Sequence, residues 1–208
     1  MTPPIVHVVD DDDLARNGTA RLLTASGFTV RTYASARDFL TDLEPDVAGC
    51  IILDVQLPDT SGLDIQVALA ERAVLLPIIF MTGHGQIPDT VRAMQRGAVD
   101  FLTKPVDADV LLAAISRALA QDSASRAARA HQDTLRSRYE RLTPREREVF
   151  VHLISGQLNK QVASDLQITE RTIKLHRASI FEKLEVSSMA EMARLAVELG
   201  IDPTKPTS

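Results

Sequence analysis

The sequence predicts two domains of different class: a doubly wound, five-stranded parallel α/β sheet, then an all-α domain of four helices. Three observations carry this. Short apolar runs alternate with helical patterns five times within the first 120 residues, the mark of parallel strands joined by crossover helices. Residues 121–140 contain no Gly or Pro, so they continue as helix. Beyond them, two helical patterns are separated by a four-residue break at 167–170, as in a helix-turn-helix. The expected boundaries are 1–120 for the α/β domain, 121–140 for a helical linker and 141–208 for the helical domain.

Each element follows in order. Residues 5–9 (Ile-Val-His-Val-Val) form a strand, followed directly by four aspartates, Asp10 to Asp13. A helix with apolar positions at Leu14, Leu22 and Leu23 closes near Gly27, where left-handed backbone suits glycine. Residues 28–33 alternate as a second strand, and Ser35 caps a helix to about Leu43. Residues 50–53 (Cys-Ile-Ile-Leu) are continuously apolar, as in a strand buried on both faces. That run ends on one carboxylate, Asp54, before a loop with Pro58 and Gly62 and a helix over 63–72. A fourth strand spans 77–82, a helix covers roughly 88–96, and a fifth strand spans 99–103 before Lys104 and Pro105. The helix from near Asp107 carries Val110, Leu111, Leu112, Ile115 and Leu119.

The linker reads as a solvated, charged helix. A weak seam through Ala127, Leu135 and Tyr139 offers a second reading, pairing with another copy. Thr143, Pro144 and Glu146 make a capping box with Pro at the first helical position. That helix carries Val149, Phe150, Leu153 and Ile154 and ends at Gly156. A short helix over 160–166 precedes the break, a longer one runs over 169–184, and Ser188 caps a last helix ending at Gly200.

Composition narrows the class. Hydrophobic residues make up 45% and charged residues 25%, ordinary for a globular chain. No apolar run is long enough to span a bilayer, and the N-terminus lacks a basic segment before an apolar core. A cytoplasmic protein without membrane contact is therefore expected. The single cysteine, Cys50, lies in an apolar strand and reads as a buried small residue. Residues 1–120 carry 9 Lys+Arg against 16 Asp+Glu, a net charge of −7; residues 121–208 carry 14 against 12, or +2. An acidic first part and a mildly basic second part point to different partners.

Ligands of open α/β sheets sit at the carboxyl ends of the strands. In this topology Asp10, Asp11, Asp54, Thr82 and Lys104 arrive at one such end. Taken singly, the aspartates also read as helix caps, Thr82 as a turn residue and Lys104 as a surface lysine; their joint placement favours a site. Clustered carboxylates repel one another and call for a hard cation with oxygen ligands, which Mg²⁺ satisfies while accepting a phosphate oxygen. Thr82 offers a hydroxyl and Lys104 a point positive charge for a phosphoryl group. Asp54 is then a carboxylate nucleophile that forms an aspartyl-phosphate.

Val8-Val9-Asp10-Asp11, Leu53-Asp54 with Pro58 and Gly62, Thr82-Gly83-His84-Gly85 and Phe101-Leu102-Thr103-Lys104-Pro105 resemble the CheY-like receiver domain of two-component response regulators. The likeness covers about residues 4–120. It implies that Asp54 accepts a phosphoryl group from a sensor histidine kinase. Asp10, Asp11, Asp54 and the Gln56 backbone carbonyl would hold Mg²⁺. Thr82 and Phe101 would be the switch pair, Lys104 would steady the phosphoryl group, and the Lys104–Pro105 bond would be cis. Gln56 and His84 occupy positions that tune phosphoryl lifetime in such domains; a loop residue with no chemistry is the plainer reading of His84.

Leu142-Thr143-Pro144-Arg145-Glu146-Arg147-Glu148-Val149, Asn159-Lys160, Thr172-Ile173-Lys174-Leu175-His176 and Lys183-Leu184 resemble the DNA-binding domain of LuxR/FixJ (NarL/FixJ-like) regulators. The arginine that many relatives carry near Met189 is absent. The helix after Thr169 is expected to bury Ile173, Ile180 and Leu184 and to turn Arg171, Lys174 and Ala178 outward. Arg171, Thr172, Lys174 and Leu175 would face a major groove, and Lys160, His176, Arg177 and Lys183 the phosphate backbone. The chain is thus expected to be a phosphorylation-gated transcription regulator, not an enzyme. Its implied partners are a histidine kinase, promoter DNA, a second copy on phosphorylation, and RNA polymerase. A phosphatase using Asp54 and a domain that docks a protein instead of DNA are the rivals.

Overall fold

The computed structural model describes residues 3–44, 46–83 and 87–202. His84 therefore lies outside the described residues. The chain divides into two compact units, Met1–Arg126 and Ala127–Ser208.

The first unit contains β1 (Ile5–Val9), α1 (Asp13–Ala25), β2 (Thr29–Tyr33), α2 (Ala36–Asp42), β3 (Gly49–Asp54), α3 (Gly62–Glu71), β4 (Ile78–Thr82), α4 (Ile87–Gln95), β5 (Asp100–Thr103) and the start of α5 (Ala108–Glu140). The sheet order is β2-β1-β3-β4-β5, with every pairing parallel. Alternation along the strands divides the core between two faces. Ile51, Leu53 and Phe80 pack with Phe39, Ile65, Leu69 and Ala93 of α2, α3 and α4. Cys50, Ile52, Ile79 and Met81 pack with Leu23 of α1 and Leu111, Ala114 and Ile115 of α5. The continuous apolar run at 50–53 is thereby explained: both sides of β3 are inside. Burial pushes the Cys50 thiol up to about 12, with Asp122 adding to the effect, so it behaves as a small core residue.

Leu14 departs from expectation, with 86% of its surface exposed. Leu14 and Leu23 are nine residues apart, and at 100° per residue they point to opposite sides of α1. Leu23 reaches the core, with Leu22 packed partly buried against it. The opening of α1 is instead fixed by Asp12, whose carboxylate accepts from the backbone N–H groups of Leu14 and Ala15 at 2.8 and 3.3 Å.

The second unit joins the last part of α5 to α6 (Pro144–Ile154), α7 (Asn159–Asp165), α8 (Glu170–Leu184) and α9 (Met189–Glu198). Phe150, Val162, Ile173, Ile180, Leu184, Met192 and Leu195 form its core. The capping box is present: Thr143 accepts from Glu146 N–H, and the Glu146 carboxylate accepts from Thr143 N–H at 2.8 Å.

The linker is not a solvated spacer along its length. Asp122, buried, accepts from Gly49 N–H at 3.0 Å and from Arg126 at 2.9 Å, while Arg126 also donates to the carbonyls of Asp46 and Val47. Further along, Leu135 is buried in the core of the second unit, and the Tyr139 ring meets Phe150 edge-on at 5.5 Å. Of the three residues of the seam, only Ala127 is exposed; the other two are occupied within the chain.

His7 gives the first unit a pH dependence. It is buried in β1 between the rings of Tyr33 and Phe39. Tyr33 donates its hydroxyl to Asp42 at 2.7 Å and so accepts from His7 Nδ1 at 3.3 Å. The second ring nitrogen, Nε2, is buried without a partner. Protonation would place an N–H there with no acceptor, and burial, reinforced by Arg31, lowers the pKa from 6.5 to about 4. Between those values the unfolded chain binds the extra proton, so stability is full above pH 6.5 and declines toward pH 4, by about 3 kcal/mol. Urea unfolding at pH 7 and pH 4.5 checks this: the difference should shrink by most of that amount in His7→Phe.

Candidate functional site

Parallel pairing brings four strand ends to one edge of the sheet. Val9 pairs with Leu53, Asp54 with Met81, and Thr82 with Thr103, so the residues that follow these positions converge. Asp10 is fully buried and Asp54 is 7% exposed, while Asp11 stands in solvent. A carboxylate oxygen from each can lie within 4.8 Å of the others. Lys104 reaches over this group, its Nζ donating to Asp10 at 2.7 Å and to Asp54 at 2.6 Å. The Lys104–Pro105 bond is cis, and Lys104 N–H donates to the Thr82 carbonyl at 2.7 Å.

The second oxygen of Asp54 accepts from Gln56 N–H at 2.9 Å, which puts the Gln56 peptide beside the acidic group. Thr82 is buried at the end of β4. Phe101, partly buried, lies 6.0 Å from Phe80, its register partner, on the core face shared with α4. Arg16 was not singled out in the sequence. It donates to the Asp10 carbonyl at 2.8 Å and pairs with Asp13. Its only sequence signal is its place one turn into α1, beside the acidic run.

Electrostatics show why the site asks for a cation. Burial pushes the Asp10 carboxyl above its ordinary range, and the Lys104 hydrogen bond only partly opposes this. Burial alone would lower Lys104, but its bonds to Asp10 and Asp54 outweigh that and hold it charged. One ammonium faces three carboxylates. An all-oxygen donor set with that surplus of negative charge fits Mg²⁺.

In the second unit, Thr169 caps α8 by accepting from Thr172 N–H at 3.2 Å, after a turn in which Gln167 takes the left-handed conformation. Ile173, Ile180 and Leu184 are buried, while Arg171, Lys174 and Ala178 are exposed, as are Leu175 at 66% and, on α7, Lys160. His176 and Arg177 are half-buried, and the Arg177 guanidinium lies 5.4 Å from the centre of the Phe181 ring. Lys183 differs from its neighbours. Its Nζ donates to the buried Glu146 at 2.6 Å, and Ser179 donates to the other oxygen of that carboxylate at 2.7 Å. Glu146, read from sequence as a cap, also anchors α8.

Comparison with known proteins agrees with both halves. Residues 6–116 match the response regulator receiver domain family, and residues 140–196 match the bacterial regulatory proteins of the luxR family. Nodulation protein W of Bradyrhizobium diazoefficiens is 44% identical over 200 residues, covering 96% of this chain and 88% of that protein. The transcriptional regulatory protein FixJ of Rhizobium meliloti is 38% identical over 205 residues, covering 98% and 100%. Among solved structures, response regulator StyR superposes with a TM-score of 0.89 at 42% identity, covering 95% of this chain and all of that one. Among the described residues, no helix is long and apolar enough to cross a membrane.

Proposed function

The chain belongs to the LuxR/FixJ-type response regulators, DNA-binding transcription regulators of two-component systems, and from that premise we propose that Asp54 is its phosphoacceptor and dimerisation its switch. The observation that carries this is the Asp10–Asp54–Lys104 cluster at the carboxyl edge of the sheet. A nearly buried carboxylate, already oriented by the Gln56 N–H, is held in place for attack on a phosphohistidine. An Asp54 oxygen attacks phosphorus, the P–N bond breaks, and the imidazole leaves with the bonding pair and takes up a proton.

Mg²⁺, when bound, would neutralise the phosphoryl oxygens; Asp10, Asp11, Asp54 and the Gln56 carbonyl would hold it. Lys104 then exchanges its Asp54 partner for a phosphoryl oxygen. The aspartyl-phosphate brings about 1.5–2 negative charges into the site, and the Thr82 hydroxyl turns toward them. Phe101 follows on the neighbouring strand, which reshapes the α4–β5 surface and favours a second copy. Two recognition helices are then set about one DNA turn apart. Arg171, Thr172, Lys174 and Leu175 meet base edges, and Lys160, His176 and Arg177 meet phosphates. RNA polymerase is the downstream partner, and the same Asp54 attack on a small phosphodonor lets the receiver phosphorylate itself.

The test is to measure dimerisation and duplex-DNA binding with and without acetyl phosphate plus Mg²⁺, across salt concentrations. The expected result is phosphorylation-dependent dimerisation, with DNA affinity falling steeply as salt rises. DNA binding that ignores phosphorylation would overturn the switch. A chain that binds no DNA in either state would favour protein docking instead.

A further inference from the structure

Gln66 lies in the second turn of α3 and is buried, 7% exposed. Its Nε2 donates to two carbonyls at the far end of α4, those of Ala93 and Arg96, both at 3.3 Å. Arg96 answers by donating to the Leu63 carbonyl in the first turn of α3, at 3.4 Å. The end of α4 is otherwise closed through Gly97, whose φ is 86°: Gly97 N–H donates to Met94 and Ala98 N–H to Ala93. Gln66 adds a donor to the Arg96 carbonyl and a second one to Ala93.

The Gln66 Oε1 atom is buried and has no partner. A buried acceptor left unpaired costs stability, and an apolar side chain of equal volume would avoid that cost. What the amide contributes is its pair of donor bonds to α4.

The other end of α3 is fixed against the phosphoacceptor strand. Gly62 N–H donates to the Val55 carbonyl at 2.9 Å, and a Cβ at Gly62 would stand 2.3 Å from the Asp54 carbonyl oxygen. The backbone of Asp54 and the first turn of α3 are thus in direct contact. One turn later, Gln66 grips α4, whose outer side presents Val91 and Met94, 47% and 44% exposed.

Resting on the reading of Asp54 as phosphoacceptor, we propose that Gln66 is a positioning residue that ties the carboxyl end of α4 to α3 and so carries the state of Asp54 to the α4 surface. The test uses the full chain and Gln66→Met, which keeps the volume and removes both donors. Hydrogen exchange of the unphosphorylated protein is read first. Protection at residues 93–98 should fall about five- to tenfold, the scale of a lost hydrogen bond, while protection in β1 and β3 stays at the wild-type level. Acetyl phosphate is then added. Phosphoryl uptake should be unchanged, while the ratio of phosphorylated to unphosphorylated dimerisation constants should shrink about threefold or more, the scale on which residues lying between two sites modulate their coupling.

Unchanged protection at 93–98, or an equal fall throughout the unit, would overturn the proposal, because Gln66 would then be a packing residue only. So would an unaltered dimerisation ratio alongside a loosened α4. If wild type itself takes up no phosphoryl group, the reading of Asp54 fails instead. The exchange experiment needs no phosphoryl group and decides the α3–α4 tie independently.

Discussion

An Asp54→Asn chain treated with acetyl phosphate and Mg²⁺ should take up no phosphoryl group and should remain at the DNA affinity of untreated wild type. The substitution removes the attacking carboxylate and, with it, the bond from Lys104 at 2.6 Å, since the amide NH2 then stands where the ammonium donated. An asparagine oxygen can still accept from Gln56 N–H, which lies 2.9 Å from the present carboxylate. Lys104 keeps its bond to Asp10 at 2.7 Å, so no buried ammonium is stranded, and thermal unfolding should move by only a few degrees. Function should move far more. Coupling free energies between two sites are typically 1–3 kcal/mol, or about 5–150-fold in affinity, and the whole of that factor should vanish. Intact-mass measurement reads the uptake, and DNA titration at fixed salt reads the coupling. Phosphoryl uptake by the variant would place the acceptor elsewhere, whereas equal DNA binding by treated wild type and variant would remove Asp54 from the switch.

The residues that sequence made legible are those whose meaning is local. Asp54 could be placed because an apolar run ends on it and a Pro/Gly loop follows; parallel pairing then brings the ends of β1, β3, β4 and β5 together. The capping box at Thr143 was readable for the same reason, since both partners lie within one turn. What stayed hidden depends on contacts far apart in the chain. Asp122 looks like one charge among many in a polar helix, yet its partner is Gly49, 73 residues earlier. Leu135 and Tyr139 form a weak seam on paper because the apolar surface that covers them belongs to α6 and its neighbours. Leu14 failed in the opposite sense, since an apolar letter in a helical stretch carries no information until its angle to the core is known. Gln66 leaves no trace in the pattern: its partners are two backbone carbonyls on another helix.

Glu146 and Lys183 illustrate the same point with a larger energetic consequence. Glu146→Gln or Lys183→Met should destabilise the second unit by about 1.5–3 kcal/mol, the usual contribution of hydrogen bonds to a charged group, since the Lys183 side chain is only partly buried. Glu146 is 5% exposed and its carboxylate accepts from Thr143 N–H, Ser179 and Lys183, so the start of α6 and the last turns of α8 lose a common anchor at once. Burial alone would raise its pKa, but the bonds from Lys183, Ser179 and Thr143 outweigh burial and hold it at about 2. The sign follows: the unfolded carboxyl binds its proton near 4.5 and the folded one only near 2. The stabilisation is therefore complete above pH 4.5 and is lost as pH falls toward 2. Chemical unfolding at pH 7 and pH 3 should show wild type and Glu146→Gln far apart at the first and closer at the second. The same pair separates two roles for Lys183. If its ammonium is committed to Glu146, Lys183→Met should weaken DNA binding only through loss of folded protein and leave the salt slope intact. A lysine that contacts a phosphate would lower that slope by about 0.9 when removed, the result expected for Lys160→Ala. A reduced slope in a well-folded Lys183→Met protein would mean that this lysine leaves Glu146 for DNA, and α8 would then be anchored chiefly by Ser179 and its buried face of Ile173, Ile180 and Leu184.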